Sequence, residues 1–494
     1  MLTPDYYFNC TDDIIEVYSK LDQSITRDIA RRILKAGYVT EGAKWQIQVE
    51  REAGLLYDDI ISSIAEYTET SESAVKALFE DAGITSKDFD DKIYKEAGKT
   101  PIPLKSSQAM LQVLQAGIEK TNGLLSNLTK TTALTAQTAF IDACTLAEME
   151  ITSGAFDYNT AIRHAVESAI SQGCYVEYAS GARATLEAAV RRAVMTGVSQ
   201  TTGEISLANA KEMDTDLMEI TAHGGARPSH AVWQGQIVCI SGKRSGYLTL
   251  SDIGYGEVTG FKGVNCRHDW YPFLEGVSTL AHTKKELEDL KNATVIYNGE
   301  EIPLYEAQQK QRAMERIIRE ERRKALGYEE AAKTATNKKL KEDLETNYYT
   351  CAQKIKQKEK IYDGFCNETG LTPQKDRLYK YGYNKSESQK VLVSNRNAQQ
   401  YNKLVGVKTK TGIPISEVGT HIKSRALARQ TTVEDIQDAL TNPLQLGKIR
   451  TDKSQHFVGE KVTAVINTET GKLITTWPTS ASRAKKLLKK SEQK

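Results

Sequence analysis

Residues 223–235 read HGGARPSHAVWQG, and residues 263–273 read GVNCRHDWYPF. These two short stretches hold three of the chain's seven histidines and two of its four tryptophans. Imidazoles, an Arg-Pro pair and indoles spaced by glycines fit a metal site, a catalytic site or a rigid structural corner. His223, His230, Cys239, Cys266 and His268 are residue types that ligate zinc, and four of them would complete a tetrahedral site. The spacing does not define one, because no pair follows CxxC or HxxxH and Arg267 separates Cys266 from His268. A nucleophilic Cys266 would need an orienting group and an oxyanion donor that the sequence does not name. The structural reading is simpler. Pro228 sets a turn, Gly263 spaces the second stretch, Trp233, Trp270 and Phe273 fill a small core, and Arg227, Asn265 and Arg267 hydrogen-bond irregular backbone. On this reading no metal or other cofactor is expected.

Around these stretches the glycines at 224, 225, 235, 242, 246, 254, 256, 260 and 263 break the chain into short β-like pieces, QIVCISG, YLTL and EVTGF. The flanking sequence reads as helix. SITRDIARRILKAG starts at Ser24 and stops at Gly37, and SESAVKALFEDAGIT has caps at Ser71 or Ser73 and a stop at Gly83. KTPIP at 99–103 is a joint, because its two prolines cannot continue a helix. Residues 106–200 are rich in Ala, Leu, Ser and Thr and suit close-packed helices. Residues 305–365 form a charged helical arm with i,i+4 pairs Glu315–Arg319 and Glu320–Lys324, read as spacer or contact surface. At the end, a His421 helix and a Thr432-capped helix ended by Asn442-Pro443 precede four strands, LQLGKIR, SQHFVG, KVTAVIN and KLITTWP.

The expected fold is therefore multidomain. A mainly α N-terminal and central region carries a small β-containing, Gly-rich insert, and a small α+β C-terminal domain has two helices then a four-stranded antiparallel sheet. The expected divisions are 1–104, 105–285, 286–406 and 407–494. A chain of 494 residues is too long for one core. No run approaches the roughly 20 apolar residues that span a bilayer, and the start MLTPDYYFNCTDD has no signal-peptide pattern. Seven scattered cysteines without CxxC fit reduced thiols better than a disulfide framework. Residues 407–494 carry 16 Lys/Arg against 8 Asp/Glu, a net +8, which leaves −6 on residues 1–406. A polyanion is the partner such asymmetry favours.

YASGARATLEAAVRRAVMTGVSQ, ITAHGGARPSHAVWQGQ, GFKGVNCRHDWYPF and YEAQQKQRAMERIIR resemble the phage minor capsid protein 2 family, which is related to the Mu F-like head-morphogenesis proteins. The resemblance covers about residues 1–400. It implies a low-copy head protein in the capsid interior, with the portal and capsid or scaffold proteins as partners. It implies host cytoplasm during assembly and after ejection, and no membrane. It carries no enzymatic role for the motif residues.

Residues 413–480 are similar to phage members of the barnase/EndoU/colicin/RelE-like nuclease fold, through His-x3-Arg-x3-Arg, the order of elements and TTWPTS. Metal-independent RNA cleavage needs a base, an acid and cations for the developing charge. His421, Arg425 and Arg429 fall on one helix face, with His421 as acid or base and Arg425 holding phosphate. Lys453 and His456 would supply the second proton-transfer group and charge, and Thr476 and Thr479 would bond the scissile phosphate. RNA as substrate, packaged DNA nearby and an immunity protein are the implied partners. The alternative is a purely structural protein whose basic end binds nucleic acid without chemistry.

Overall fold

The computed structural model describes residues 1–494 apart from 38–41, 174, 179, 375–377, 379–384 and 493–494. Cys174 and the first residues of the polar stretch 380–400 thus lie outside the described residues. The first part is helical: α1 (Pro4–Asn9), α2 (Asp12–Ala36), α3 (Gly42–Glu96), α4 (Gln108–Thr152), α5 (Tyr158–Gln172) and α6 (Leu186–Glu212). A hairpin of β1 (Tyr175–Glu177) and β2 (Arg183–Thr185) leads into α6. The glycine-rich region forms β3 (Leu217–Ile220), β4 (Ile237–Cys239), β5 (Leu248–Thr249) and β6 (Trp270–Pro272), ordered β5-β4-β3-β6. Next come α7 (Lys284–Lys291), the hairpin β7 (Thr294–Tyr297) and β8 (Glu300–Pro303), then α8 (Leu304–Thr334), α9 (Lys338–Thr369) and α10 (Lys385–Gln400). The C-terminal unit has β9 (Glu417–Val418), α11 (Thr420–Ala428), α12 (Val433–Thr441), β10 (Gln445–Leu446), β11 (Ser454–Val458), β12 (Val462–Asn467), β13 (Lys472–Pro478) and α13 (Ala481–Glu492). The fold is mostly helical with several small sheets. Among the described residues no helix is long and apolar enough to cross a membrane.

Several local signals read differently in three dimensions. α2 starts at Asp12, where Asp12 and Asp13 favour the positive N-terminal end of the helix, so Ser24 is interior. Ser71 and Gly83 also lie inside the 55-residue α3. The Ser71 hydroxyl pairs with Tyr18 across two helices at 3.2 Å instead of capping. Gly83 sits where a Cβ would be 3.2 Å from Ile205 of α6, so its smallness serves packing rather than termination. α4 and α6 cross through reciprocal notches. A Cβ on Gly117 would lie 2.0 Å from Thr201 Oγ1, and one on Gly197 would lie 2.3 Å from Thr121 Oγ1. Along α4 the hydroxyls of Thr129, Thr132, Thr135 and Thr138 donate to carbonyls one turn back, which lets a Thr-rich segment stay helical.

The expected charged arm is not solvated. α8 and α9 contribute Ala325, Leu326, Ala331, Leu340, Leu344 and Ile355 to a core shared with α2 to α6. Their buried charges are paired: Arg322 with Glu359 at 2.6 Å, Arg323 with Asp22 at 3.4 Å and Lys358 with Glu321 at 2.8 Å. The polar residues 385–400 form helix α10 with Val391 and Ala398 buried. EVTGF forms no strand. Gly260 and Gly263 instead let the backbone fold onto itself, since a Cβ would stand 1.9 Å from Gly254 O and 2.6 Å from Val258 O respectively. The C-terminal sheet has five strands, not four, ordered β10-β11-β12-β13-β9. β9, from the segment before α11, pairs parallel to β13 through Leu473 and Val418. This unit has its own core, including Leu404, Ile415, Ile436, Leu440, Phe457 and Ile466.

Asp90 on α3 gives the helical body a pH dependence. Its Oδ2 accepts from Ser206 at 2.7 Å, its Oδ1 has no hydrogen-bond partner, and burial pushes its pKa up to about 7. The folded chain thus keeps a proton that the unfolded chain releases near pH 3.8. The resulting stabilisation is complete below that value and is lost as pH rises through 7. We predict that between pH 5 and 7 wild-type stability carries an Asp90 term falling by up to about 1.4 kcal/mol per pH unit. Asp90→Asn removes that term and keeps a neutral side chain, so in denaturant titrations the two proteins should be similarly stable at low pH and diverge as pH rises, the variant becoming the more stable. Parallel pH profiles would rule out the assignment.

Candidate functional site

The two signature stretches meet in one buried corner beneath β3 and β6. Thr221 and Asp269 hydrogen-bond reciprocally: Thr221 N donates to Asp269 O at 2.9 Å, and Asp269 N donates to Thr221 Oγ1 at 2.8 Å. His230, Cys266 and His268 are all buried. Each offers one ligand atom, and these three atoms lie within 4.8 Å of one another. His223 stacks on His268 with ring centroids 4.4 Å apart, and His230 lies against Trp233 at 4.6 Å. Trp233, Phe261 and Trp270 form the adjoining core. Phe273 is half-buried.

The imidazoles are held from outside. His230 Nε2 donates to Thr259 O at 2.8 Å, His223 Nδ1 donates to Gly224 O at 3.0 Å, and His268 Nε2 meets Gln234 Oε1 at 3.2 Å. Burial lowers the pKa of all three, and neighbouring imidazoles and Lys262 add to the effect at His268. Burial likewise raises that of the Cys266 thiol. Arg227 spans the loop, donating to Thr259 O at 3.1 Å and Val264 O at 3.2 Å. Asn265 takes a positive φ of 59° at the turn, and Pro228 is exposed in the opposite turn. Asn265 and Arg267 line a cavity of about 120 Å³ with His223, His230 and His268. Cys239 stands apart, its thiol donating to Asp216 at 3.1 Å.

Sequence reasoning missed several members. Gln234 braces both His223 N and His268, and Tyr305, Gln309 and Arg312 of α8 close the cavity from a distant part of the chain. Lys262 and Asp269 form a buried ion pair beside the corner, and Asp269 also accepts from Leu2 N. Tyr305, Gln309 and Arg312 lie in YEAQQKQRAMERIIR, which carries the resemblance, but its helix reads as spacer or contact surface.

The C-terminal residues fall into separate groups. His421, Arg425 and Arg429 do share one side of α11, as four-residue spacing requires. That side meets the acidic start of α9. Arg425 approaches Asp343 at 3.8 Å and Arg429 approaches Glu342 at 3.5 Å, while Arg429 also donates to Thr476 O at 2.7 Å. Gln353 of α9 donates to Ser424 at 2.9 Å. His421 is exposed at the surface, and partial burial of its ring, then Arg425, lower its pKa. On β11, Phe457 enters the core beneath the helices, so His456 points to the other face of the sheet, where its ring meets Trp477 at 5.5 Å. Burial, then Arg450 and Arg483, lower the His456 pKa. Thr476 is buried, Thr479 bonds Thr463 at 2.9 Å, and Lys453 pairs with Glu469 at 3.0 Å. His421 and His456 are thus not brought together.

The chain belongs to the phage minor capsid protein 2 family, whose model matches residues 2–357 and so includes the whole corner. It is similar to a structural protein of Lactococcus phage LL-H, 26% identical over 297 residues that cover 56% of this chain and 76% of that protein. It is also similar to a structural protein of Lactococcus phage mv4, 35% identical over 88 residues that cover 18% of this chain and 63% of that protein. No solved structure matches the chain.

Proposed function

We propose that this protein is a minor component of the virion, held in the capsid interior beside the portal, with a C-terminal unit that binds nucleic acid without cutting it. The family match over residues 2–357 is the observation that carries the first part, and its similarity to structural proteins of two phages supports it. The relation to Mu F-like head-morphogenesis proteins and assembly with portal, capsid and scaffold proteins belong to the same reading. Quantitative mass spectrometry of purified particles should detect the chain at a few copies per portal. Particles without it would overturn the placement.

For the C-terminal unit, the separation of His421 and His456 on opposite faces of the sheet favours binding over cleavage. Two-step RNA cleavage needs a base and an acid about one scissile phosphate apart, and Arg425 and Arg429 are engaged by Asp343 and Glu342. The net +8 and the grouping of Arg450 and Arg483 near His456 and Trp477 supply phosphate contacts beside an aromatic ring. The ribonuclease reading, with an immunity partner, keeps one supporting feature: His421 is exposed with two arginines on its face. Filter binding of the full chain to RNA and DNA in EDTA separates the two. We predict affinity that falls steeply with salt, a salt slope smaller by about one for each of Arg450→Ala and Arg483→Ala, intact RNA on denaturing gels, and no effect of His421→Ala. RNA cut to 2′,3′-cyclic phosphate ends by wild type but not by His421→Ala would establish the nuclease instead.

A further inference from the structure

We propose that His230, Cys266 and His268 bind one zinc ion, with the fourth coordination position facing the cavity that His223 lines. Three features of the corner carry this, and none depends on the capsid assignment.

The first is convergence. Two imidazoles and a thiol from segments 36 residues apart in sequence (His230 to Cys266) present ligand atoms within 4.8 Å of one another, with side chains sealed from solvent. Zn–N of about 2.0 Å and Zn–S of about 2.3 Å put tetrahedral ligand atoms roughly 3.5 Å apart. The three side chains would have to draw together by about 1 Å to reach that spacing.

The second is the outer ring of hydrogen bonds. A metal-bound imidazole generally donates its other nitrogen to an oxygen, which fixes tautomer and ring orientation. His230 does this through Nε2 to Thr259 O at 2.8 Å, and His268 through Nε2 to Gln234 Oε1 at 3.2 Å. The nitrogen left on each ring is therefore Nδ1, and His268 Nδ1 already lies 3.7 Å from Cys266 Sγ.

The third is an orphan. His223 donates through Nδ1 to Gly224 O, which leaves Nε2 with a lone pair, buried and without a hydrogen-bond partner. A buried unsatisfied nitrogen costs free energy unless something meets it. Here it belongs to a ring that stacks on His268 and lines the same cavity as His230 and His268. The donor set selects the metal: one thiolate and imidazoles, with no carboxylate in the cluster, suit zinc and not calcium or magnesium. Binding displaces the Cys266 thiol proton to solvent, and the thiolate offsets one of the two metal charges beside Arg227.

The test uses the full-length chain. Elemental analysis should find about one zinc per chain after dialysis into metal-free buffer. Replacement by cobalt(II) should give the thiolate-to-cobalt charge-transfer band and the strong visible absorption of four-coordinate cobalt. Cys266→Ser should abolish the charge-transfer band, and His230→Asn should weaken metal binding at least tenfold, whereas Cys239→Ser should change neither. Because a ligand variant can misfold, the wild-type titration stands by itself, with helix content checked by circular dichroism. Folded wild type that takes up neither zinc nor cobalt overturns the proposal. So does a charge-transfer band that survives Cys266→Ser.

Discussion

One buried ion pair joins the start of the chain to its signature corner. Lys262 and Asp269 are 2% and 0% exposed, and their side chains are in direct contact. Lys262 also donates to Tyr7 OH at 3.3 Å, and Asp269 accepts from Leu2 N and from Trp270 N at 3.0 Å. Burial opposes both charges. Burial is the largest single effect on each, yet the lysine pKa is raised because Asp269 and Tyr7 together offset it, and the aspartate pKa is lowered because Lys262, the N-terminal amine and Leu2 N together do so. Such a pair is not itself a large source of stability, but removing one member strands the other charge at a cost of about 3–5 kcal/mol. The constraint is one of position. With Asp269 fixed, Thr221, His268 and Trp270 are fixed by adjacent backbone, and the Gly260–Gly263 turn must fold where Lys262 can reach.

That dependence explains which parts of the fold were legible in the sequence. Helix content and the break at Pro101 and Pro103 follow from composition and local geometry. Helix ends at Ser24, Ser71 and Gly83 did not, because Ser71 was taken up by Tyr18 and Gly83 by Ile205, contacts made between helices. The arm over 305–365 looked solvated because its charges are dense, yet Arg322, Arg323 and Glu321 find partners from other turns or helices and go inside. The fifth C-terminal strand was invisible because two residues, Glu417 and Val418, have no periodicity to detect. In the corner, residue types pointed to the right places, while Gln234, Lys262 and the α8 side chains join it only through tertiary structure.

The C-terminal unit illustrates the same rule from the opposite direction. Spacing alone placed His421, Arg425 and Arg429 on one face, and they share it. A face needs a neighbour before it has a function, and here the neighbour is Glu342 and Asp343 at the start of α9. The arginines that would hold phosphate instead help seat the unit on the helical body. Arg450 and Arg483 act instead on His456, whose ring lies on the sheet's other side.

The most direct test of the corner's dependence on the chain start is amide hydrogen exchange, comparing the full chain with one lacking residues 1–8, which removes Leu2 and Tyr7. Peptides from 217–273 should lose protection in the shortened chain while those from 401–478 exchange as before. Unchanged protection across 217–273 would contradict it.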